Sequence, residues 1–361
     1  MRTYEKTHPW ITFTLDLGQA HYRLWLLLGD AQAKCQYLAG VPLLPSVAEK
    51  LYRVFLAKGV LATTAIEGNT LTEEQVMKRI DGELHLPPSK EYLGQEIDNI
   101  VEACNTIGKR ILEGQPAPLS IDELKEFNRL ALEHLPVGEE VIPGKIRSHE
   151  VVVGTYKGAP PADCEYLTHR LCEWLAEDFN PPSGYEVGFG ILRAILAHLY
   201  LAWIHPFADG NGRTARALAT LILYLREFDI KRFFALDDYY DSDRNSYYGA
   251  LDSVDPESLD LTRWLEYFTD GVLISIMKVK QKVLRLSLEK HRKESKGQIP
   301  LTERQMNIIE HLQKNGKITA GDVAKMYKIT RQAALKELNK LVKLEIIRLQ
   351  GKGRGAFYVI E

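Results

Sequence analysis

Two apolar stretches, residues 189–207 and 217–225, lead into and out of a short polar segment. Its ten residues His205 to Thr214 read HPFADGNGRT, and Arg216 follows one residue on. The first stretch is too rich in apolar residues to face water, and its Arg193 and His198 count against a membrane span, so it reads as a buried core helix. The second reads as another helix, and the fold must turn sharply between them. The turn carries chemistry. A Gly-x-Gly stretch at a helix N-terminus lets backbone N–H groups converge on an anion that the helix dipole favours. Gly210 and Gly212 suit such a turn, and Asn211 between them tolerates left-handed angles and brings an amide donor. Arg213 and Arg216, three apart, project from one helix face with forks that match phosphate oxygens. Asp209 is a lone carboxylate beside the turn, the usual protein share of a magnesium site. His205 alone has an ordinary pKa near neutrality, as a general base requires. Singly, these are a packed histidine, a turn and solvated arginines; in this order within a dozen residues they point to a nucleotide-phosphate site.

The segment resembles the signature of the Fic family, HPFx(D/E)GNGRxxR, at every fixed position: His205, Pro206, Phe207, Asp209, Gly210, Asn211, Gly212, Arg213 and Arg216. The resemblance implies transfer of AMP from ATP to a Ser, Thr or Tyr hydroxyl of a protein, the chain itself included as a target. His205 would deprotonate the hydroxyl, Asp209 would hold Mg2+, and Gly210, Asn211 and Gly212 would cradle phosphates. Arg213 would serve the β-phosphate side and Arg216 the γ-phosphate. The phosphate-transferring Doc branch departs from the GNGR arrangement kept here, so AMP is the expected group. The intact His205 and Asp209 favour an enzyme over the alternative, an ATP-sensing, DNA-binding transcriptional regulator with vestigial catalysis.

Upstream, Ser46-Val47-Ala48-Glu49 has the capping-box pattern of a helix start, and apolar residues at Leu51, Val54, Phe55 and Leu61 continue with helical spacing. Gly68 suits the helix end, and Thr72 to Gln75 opens the next helix with another capping box. Read locally, Glu67 is a surface glutamate, mildly unfavourable at a helix C-terminus. The resemblance changes that reading, because Thr63 to Gly68 matches the family's inhibitory motif (S/T)xxxE(G/N). It implies that Glu67 pairs with Arg216 and takes the place of the γ-phosphate, in the class with an N-terminal inhibitory helix. In some family members this glutamate also supports removal of AMP. Residues Gly144 to Arg147 and Val151 to Pro161 read as a short β-hairpin, which the resemblance makes the flap that holds a target backbone by strand addition. Arg244 to Leu251 resembles the segment lining the adenine pocket, with Tyr248 and Asn245 as candidate base contacts. The acidic cluster Asp237, Asp238, Asp241 and Asp243 lacks the spacing of a calcium loop and reads as solvated and helix-capping.

The rest of the chain is mainly helical in pattern, with further helices over Gln95 to Leu112, Ile121 to Leu135 and Leu167 to Asp178. The expected fold is mainly α: a Fic-type helical core with a small β-hairpin flap and a C-terminal winged helix-turn-helix. The expected divisions are 1–95 with an inhibitory helix at about 47–67, the catalytic core at 96–275, a basic helical linker at 276–300 and the winged helix at 301–361. Formal net charge is −2, yet residues 278–361 hold 20 basic and 8 acidic residues, a nucleic-acid-facing balance. Three helices starting at Thr302, Thr319 and Thr330 and two strands around a basic glycine-rich tip follow the winged-helix order, with DNA as the expected partner. Arg331, Gln332 and Lys336 would face bases or phosphates, and Lys352 and Arg354 at the wing would meet phosphate. Four cysteines without C-x-x-C spacing and a polar N-terminus without a signal fit a reduced cytoplasmic protein with no membrane partner. The resemblance allows a homodimer, and the sequence does not fix the oligomeric state.

Overall fold

The computed structural model describes residues 2–41, 45–112, 119–177, 183–225, 235–254, 259–293, 301–344, 346–351 and 356–360. The helices are α1 Tyr4–Thr7, α2 Tyr22–Ala39, α3 Pro45–Ile66, α4 Glu73–Ile80, α5 Glu91–Leu112 and α6 Ile121–Leu132. Strands β1 Val152–Val153 and β2 Tyr156–Lys157 precede α7 Pro161–Glu177, α8 Glu186–Ile204, α9 Asn211–Leu225, α10 Asp237–Ser242, α11 Arg244–Leu251 and α12 Thr262–Lys293. The chain closes with α13 Glu303–Asn315, α14 Ala320–Tyr327, α15 Arg331–Lys343, β3 Ile347–Gln350 and β4 Phe357–Ile360. Two compact units result, residues 1–39 with 52–280, and residues 40–51 with 281–361.

In the larger unit α8 and α9 pack along each other, and α5 and α6 both lie against α9. Helix α8 is long and apolar enough to cross a membrane by composition, but its neighbours bury most of it. A helix apolar all round belongs in a core, and this one carries fully buried Ile191, Ile195, Leu199 and Leu201. Capping explains several boundaries. Thr72 and Gln75 form the reciprocal capping box at α4, and Ser120 accepts from Glu123 N at α6. At α3 the expectation fails: the helix already includes Pro45, a residue suited to a first turn, so Ser46 lies within the helix instead of capping it.

The smaller unit contains the winged-helix order. Thr302, Thr319 and Thr330 each accept a backbone N–H at the start of α13, α14 and α15. β3 and β4 pair antiparallel, Ile347 opposite Ile360, and Ile318 bridges to Tyr358 as a third short edge. Ile308, Leu312, Val323, Leu338, Leu341 and Ile347 form the core beneath. Arg331, Gln332 and Lys336 are exposed on α15. Lys352 and Arg354 lie outside the described residues.

Candidate active site

The signature occupies the turn between α8 and the N-terminus of α9. His205 is the C-cap of α8 and sits in the left-handed region, at φ 52° and ψ 56°. For a non-glycine residue that conformation costs roughly 1–3 kcal/mol, and surrounding bonds must hold it. Arg147 does so. Its Nε donates to His205 O at 2.7 Å, and its two terminal nitrogens donate to His149 O and Ala159 O. Backbone bonds from Arg147 N to Pro206 O and from Ala159 N to Ile204 O, with a bridge between Ile146 and Phe207, complete the hold. Residues 146 and 147 therefore brace the turn after α8 and are not part of the hairpin. The hairpin itself is smaller than expected, with only Val152–Val153 paired to Tyr156–Lys157. Val152 and Val153 are exposed on it.

His205 Nδ1 lies 3.2 Å from Ala202 O. A carbonyl can only accept, so Nδ1 carries the hydrogen and the Nε2 lone pair is left as the base. Burial pushes the ring's pKa down to about 4, with Arg147 acting in the same direction. At neutral pH the imidazole is uncharged and ready to take a proton.

The two glycines do different work. Gly210 adopts φ +76°, and a Cβ there would meet Asn128 Nδ2 at 2.8 Å. Asn128 is the reason for the crowding: it donates to Asp209 O at 2.8 Å and accepts from Gly144 N at 2.9 Å. Gly212 is an ordinary helical residue whose missing side chain makes room, because a Cβ would stand 2.8 Å from Glu67 Oε1. Asn211 departs from its expected role. It is the first residue of α9, and its amide is spent within the turn, accepting from Phe207 N at 2.9 Å and donating to Phe207 O at 2.8 Å. It shapes the cradle, and the donors left to face an anion are backbone N–H groups at the start of α9.

Both arginines are engaged. Arg216 is buried, its side chain only 2% exposed, and donates from Nη2 to Glu67 Oε1 at 2.7 Å. Nε donates to Thr63 Oγ1 at 2.8 Å, and Nη2 also reaches Thr63 O at 3.1 Å. Thr63 and Glu67, first and fifth positions of the motif, thus grip one guanidinium. Burial alone would raise the Glu67 carboxyl, but Arg216 and Arg213 more than offset it and hold it below the usual range. Arg213 donates from Nη1 to Glu96 Oε1 at 2.6 Å, and its Nη2 is 3.4 Å from Asp209 Oδ1.

Reading the sequence leaves out Glu96, puts Arg147 in the hairpin and takes Asp237 as solvated, whereas Asp237 is turned inward beside Arg216. Asp237 Oδ1 stands 3.7 Å from Arg216 Nε, and burial pushes its carboxyl up to about 6 against the pull of that arginine. The rest of the acidic cluster behaves as expected. Asp238 pairs with Lys278, Asp241 with Arg244, and Asp243 caps α11. No signal in the local sequence marks Asp237 apart from its neighbours. Tyr248 and Asn245 are exposed on α11. Burial raises the Tyr248 phenol, with the charge of Glu67 acting the same way and that of Arg216 against it. Its neighbour Tyr247 is buried and bonds His198 Nε2 at 3.1 Å.

Among the described residues no three His, Cys, Asp or Glu side chains converge as a metal cluster. Asp209, 46% exposed beside the helix N-terminus, is a single carboxylate, and that donor set fits magnesium held chiefly by phosphate oxygens and water.

Residues 118–223 match the family model described as Fic/DOC family, a span that contains the turn and most of α9. Over these residues the chain is similar to the Fic/DOC family. Residues 301–348 match a second family model, winged helix-turn-helix DNA-binding. Among curated relatives, the protein adenylyltransferase Fic of Nematostella vectensis is 30% identical over 191 residues, covering 52% of this chain and 43% of that protein. The protein adenylyltransferase fic-1 of Caenorhabditis elegans is 33% identical over 167 residues, covering 45% and 31%. The chain thus spans less than half the length of these Fic relatives. In solved structures the fold is similar to a Fic family protein from Desulfovibrio desulfuricans (TM-score 0.57, 21% identity, 93% of this chain and 96% of that one). It is also similar to Fic-1 from C. elegans, with a TM-score of 0.57 and 23% identity over 72% of each chain.

Proposed function

We propose that the chain is a protein adenylyltransferase that moves AMP from ATP to a protein hydroxyl and is held back by Glu67. The observation that carries this reading is the pairing of a neutral, lone-pair-bearing His205 with a phosphate cradle whose far arginine, Arg216, is already gripped by Glu67. In the reaction the hydroxyl oxygen bonds to the α-phosphorus as the bond to the β-phosphate oxygen breaks. The hydroxyl proton goes to His205 Nε2, and pyrophosphate leaves. The start of α9 binds phosphate oxygens, and Arg213 neutralises charge on the β-phosphate side. Mg2+, where bound, would sit at Asp209 and neutralise charge on the phosphates. The flap's exposed Val152–Val153 edge would align a target backbone by strand addition. Glu67, at the place the γ-phosphate needs, keeps ATP from the pose in which the α-phosphorus meets the hydroxyl. The same carboxylate, a quarter exposed, could orient water for the reverse reaction.

Transfer of label from α-phosphate-labelled ATP into protein tests this, with magnesium and cell extract as the source of target. Glu67→Gly should raise the label, and adding His205→Ala should abolish it. No label in any of these shifts the reading to the ATP-sensing regulator, and label from the γ-phosphate alone would make the transferred group phosphate.

The exposed Arg331, Gln332 and Lys336 on α15 favour a second role, DNA binding by the winged helix. Affinity should then fall steeply with salt, and Lys336→Ala should reduce the salt slope by about 1. Salt-insensitive behaviour would make this domain a protein-contact module.

A further inference from the structure

Glu96 lies in the second turn of α5, far from the signature in sequence, yet it is the partner of Arg213. Glu96 and Arg213 are both buried, and their 2.6 Å contact spans 117 positions. The second carboxylate oxygen accepts from Asn69 Nδ2 at 3.0 Å. Asn69 is itself fixed: its amide donates to Leu93 O at 3.0 Å and its Oδ1 accepts from Leu71 N at 3.0 Å. One carboxylate is therefore clamped between a rigid amide and a guanidinium.

The clamp decides where the rest of Arg213 points. Nη1 is taken inward by Glu96, which turns Nη2 toward Asp209 Oδ1 at 3.4 Å. Arg213 Nε is buried and finds no acceptor among the described residues, so Asp209 and Glu96 are the guanidinium's holds. Asp209 is half exposed and cannot fix a long side chain alone. Without Glu96 the guanidinium would keep its charge and lose its aim. A bidentate donor that must meet a phosphate oxygen depends on that aim more than on charge.

We propose that Glu96 is a positioning residue for nucleotide binding, holding Arg213 by Nη1 so that Nη2 faces the β-phosphate, with Asn69 holding Glu96 in turn. The assignment rests on the phosphate cradle proposed above, and its test reads binding, not transfer. The competing account is a buried ion pair that only stabilises the fold.

The two differ in what they do to AMP and ADP, since only ADP carries the phosphate that Arg213 would meet. Calorimetry would use the full chain with Glu67→Gly and His205→Ala, which is unlatched and cannot turn over. In this background Glu96→Gln, which keeps the shape and loses the charge, should raise the Kd for ADP about tenfold and leave that for AMP within about twofold. Asn69→Ala should give the same split at about threefold. Equal losses for AMP and ADP, or no loss for either, would overturn the assignment. A background chain that binds ADP no tighter than AMP would instead remove the cradle itself, and Glu96's role with it.

Discussion

Removing Glu67 should tighten ATP far more than it tightens AMP. The carboxylate makes one short charge-assisted hydrogen bond to Arg216, at 2.7 Å. Such bonds contribute about 1.5–3 kcal/mol, and each 1.4 kcal/mol is about a factor of ten. The γ-phosphate must break this bond before it can use Arg216, so Glu67→Gly should lower the Kd for ATP by about 10- to 150-fold. Glu67 is 28% exposed, and solvent screening puts the expectation in the lower half of that range. The fold should tolerate the change. A buried charge stripped of its partner typically costs 3–5 kcal/mol, roughly, but Arg216 keeps both Thr63 bonds and Asp237 at 3.7 Å. A loss of about 1–2 kcal/mol, or a few degrees in Tm, follows. Calorimetry in a His205→Ala background avoids turnover and reads ATP and AMP separately. The reasoning is refuted if ATP affinity is the same with and without Glu67, or if AMP, which has no γ-phosphate, gains as much.

The pH dependence of transfer should lack the usual histidine limb. With His205 pushed down to about 4, kcat/KM of the Glu67→Gly chain should stay flat from pH 8 to 6 and decline only near pH 4 to 5; a decline centred at 6.5 would contradict it. The same shift means that the unfolded chain binds the extra proton between about pH 4 and 6.5, so stability falls with acid across that window. Gly212→Ala puts a methyl 2.8 Å from Glu67 Oε1 and 3.1 Å from Arg216 Nη1. It should dislodge Glu67 without activating, since the methyl also fills the cradle, and labelled transfer above the parent level would be inconsistent with that packing. Arg147→Met removes three hydrogen bonds to carbonyls and frees His205 from its left-handed conformation. Transfer should drop about 100-fold while AMP binding changes little, which single-turnover rates and calorimetry can separate.

What the sequence made legible was local. The order HPFADGNGRT with Arg216, read against flanking apolar runs, placed a polar turn at a helix start, and the structure has it there. The threonine caps of α4, α13, α14 and α15 were equally readable, because a cap and its acceptor lie three residues apart. Thr63 and Glu67 could be tied to Arg216 only through the resemblance, since nothing at a separation of 149 positions is visible in one chain. Glu96 is one of several acidic residues on α5, and only the packing of α5 against α9 sets it apart. Arg147 reads as part of the hairpin because the valine run after it favours a strand, whereas its donors are recruited by the carbonyls around His205. Asn211 reads from the sequence as an amide donor, and its side chain bonds Phe207 across the turn, a pairing set by the turn's closure.

The two arginines are three residues apart on one helix, and each is held by a carboxylate from elsewhere, but the two holds differ in kind. Glu96 lies within α5 and cannot move without the helix, and its other oxygen is fixed by Asn69. Glu67 lies just past the last helical residue of α3, followed by Gly68 at φ +104°. It is tied to that helix end through its own backbone N–H on Thr64 O, and a helix terminus frays at far lower cost than a helix centre. Withdrawing Glu67 thus requires one turn to open, whereas withdrawing Glu96 requires α5 to leave α9. Under the proposed function, the arginine for the γ-phosphate would have the retractable partner and the arginine for the β-phosphate the permanent one. On that reading control would be exerted through Arg216, at the end of the nucleotide that distinguishes ATP from ADP, and a trigger acting on the turn at 63–69 would relieve it.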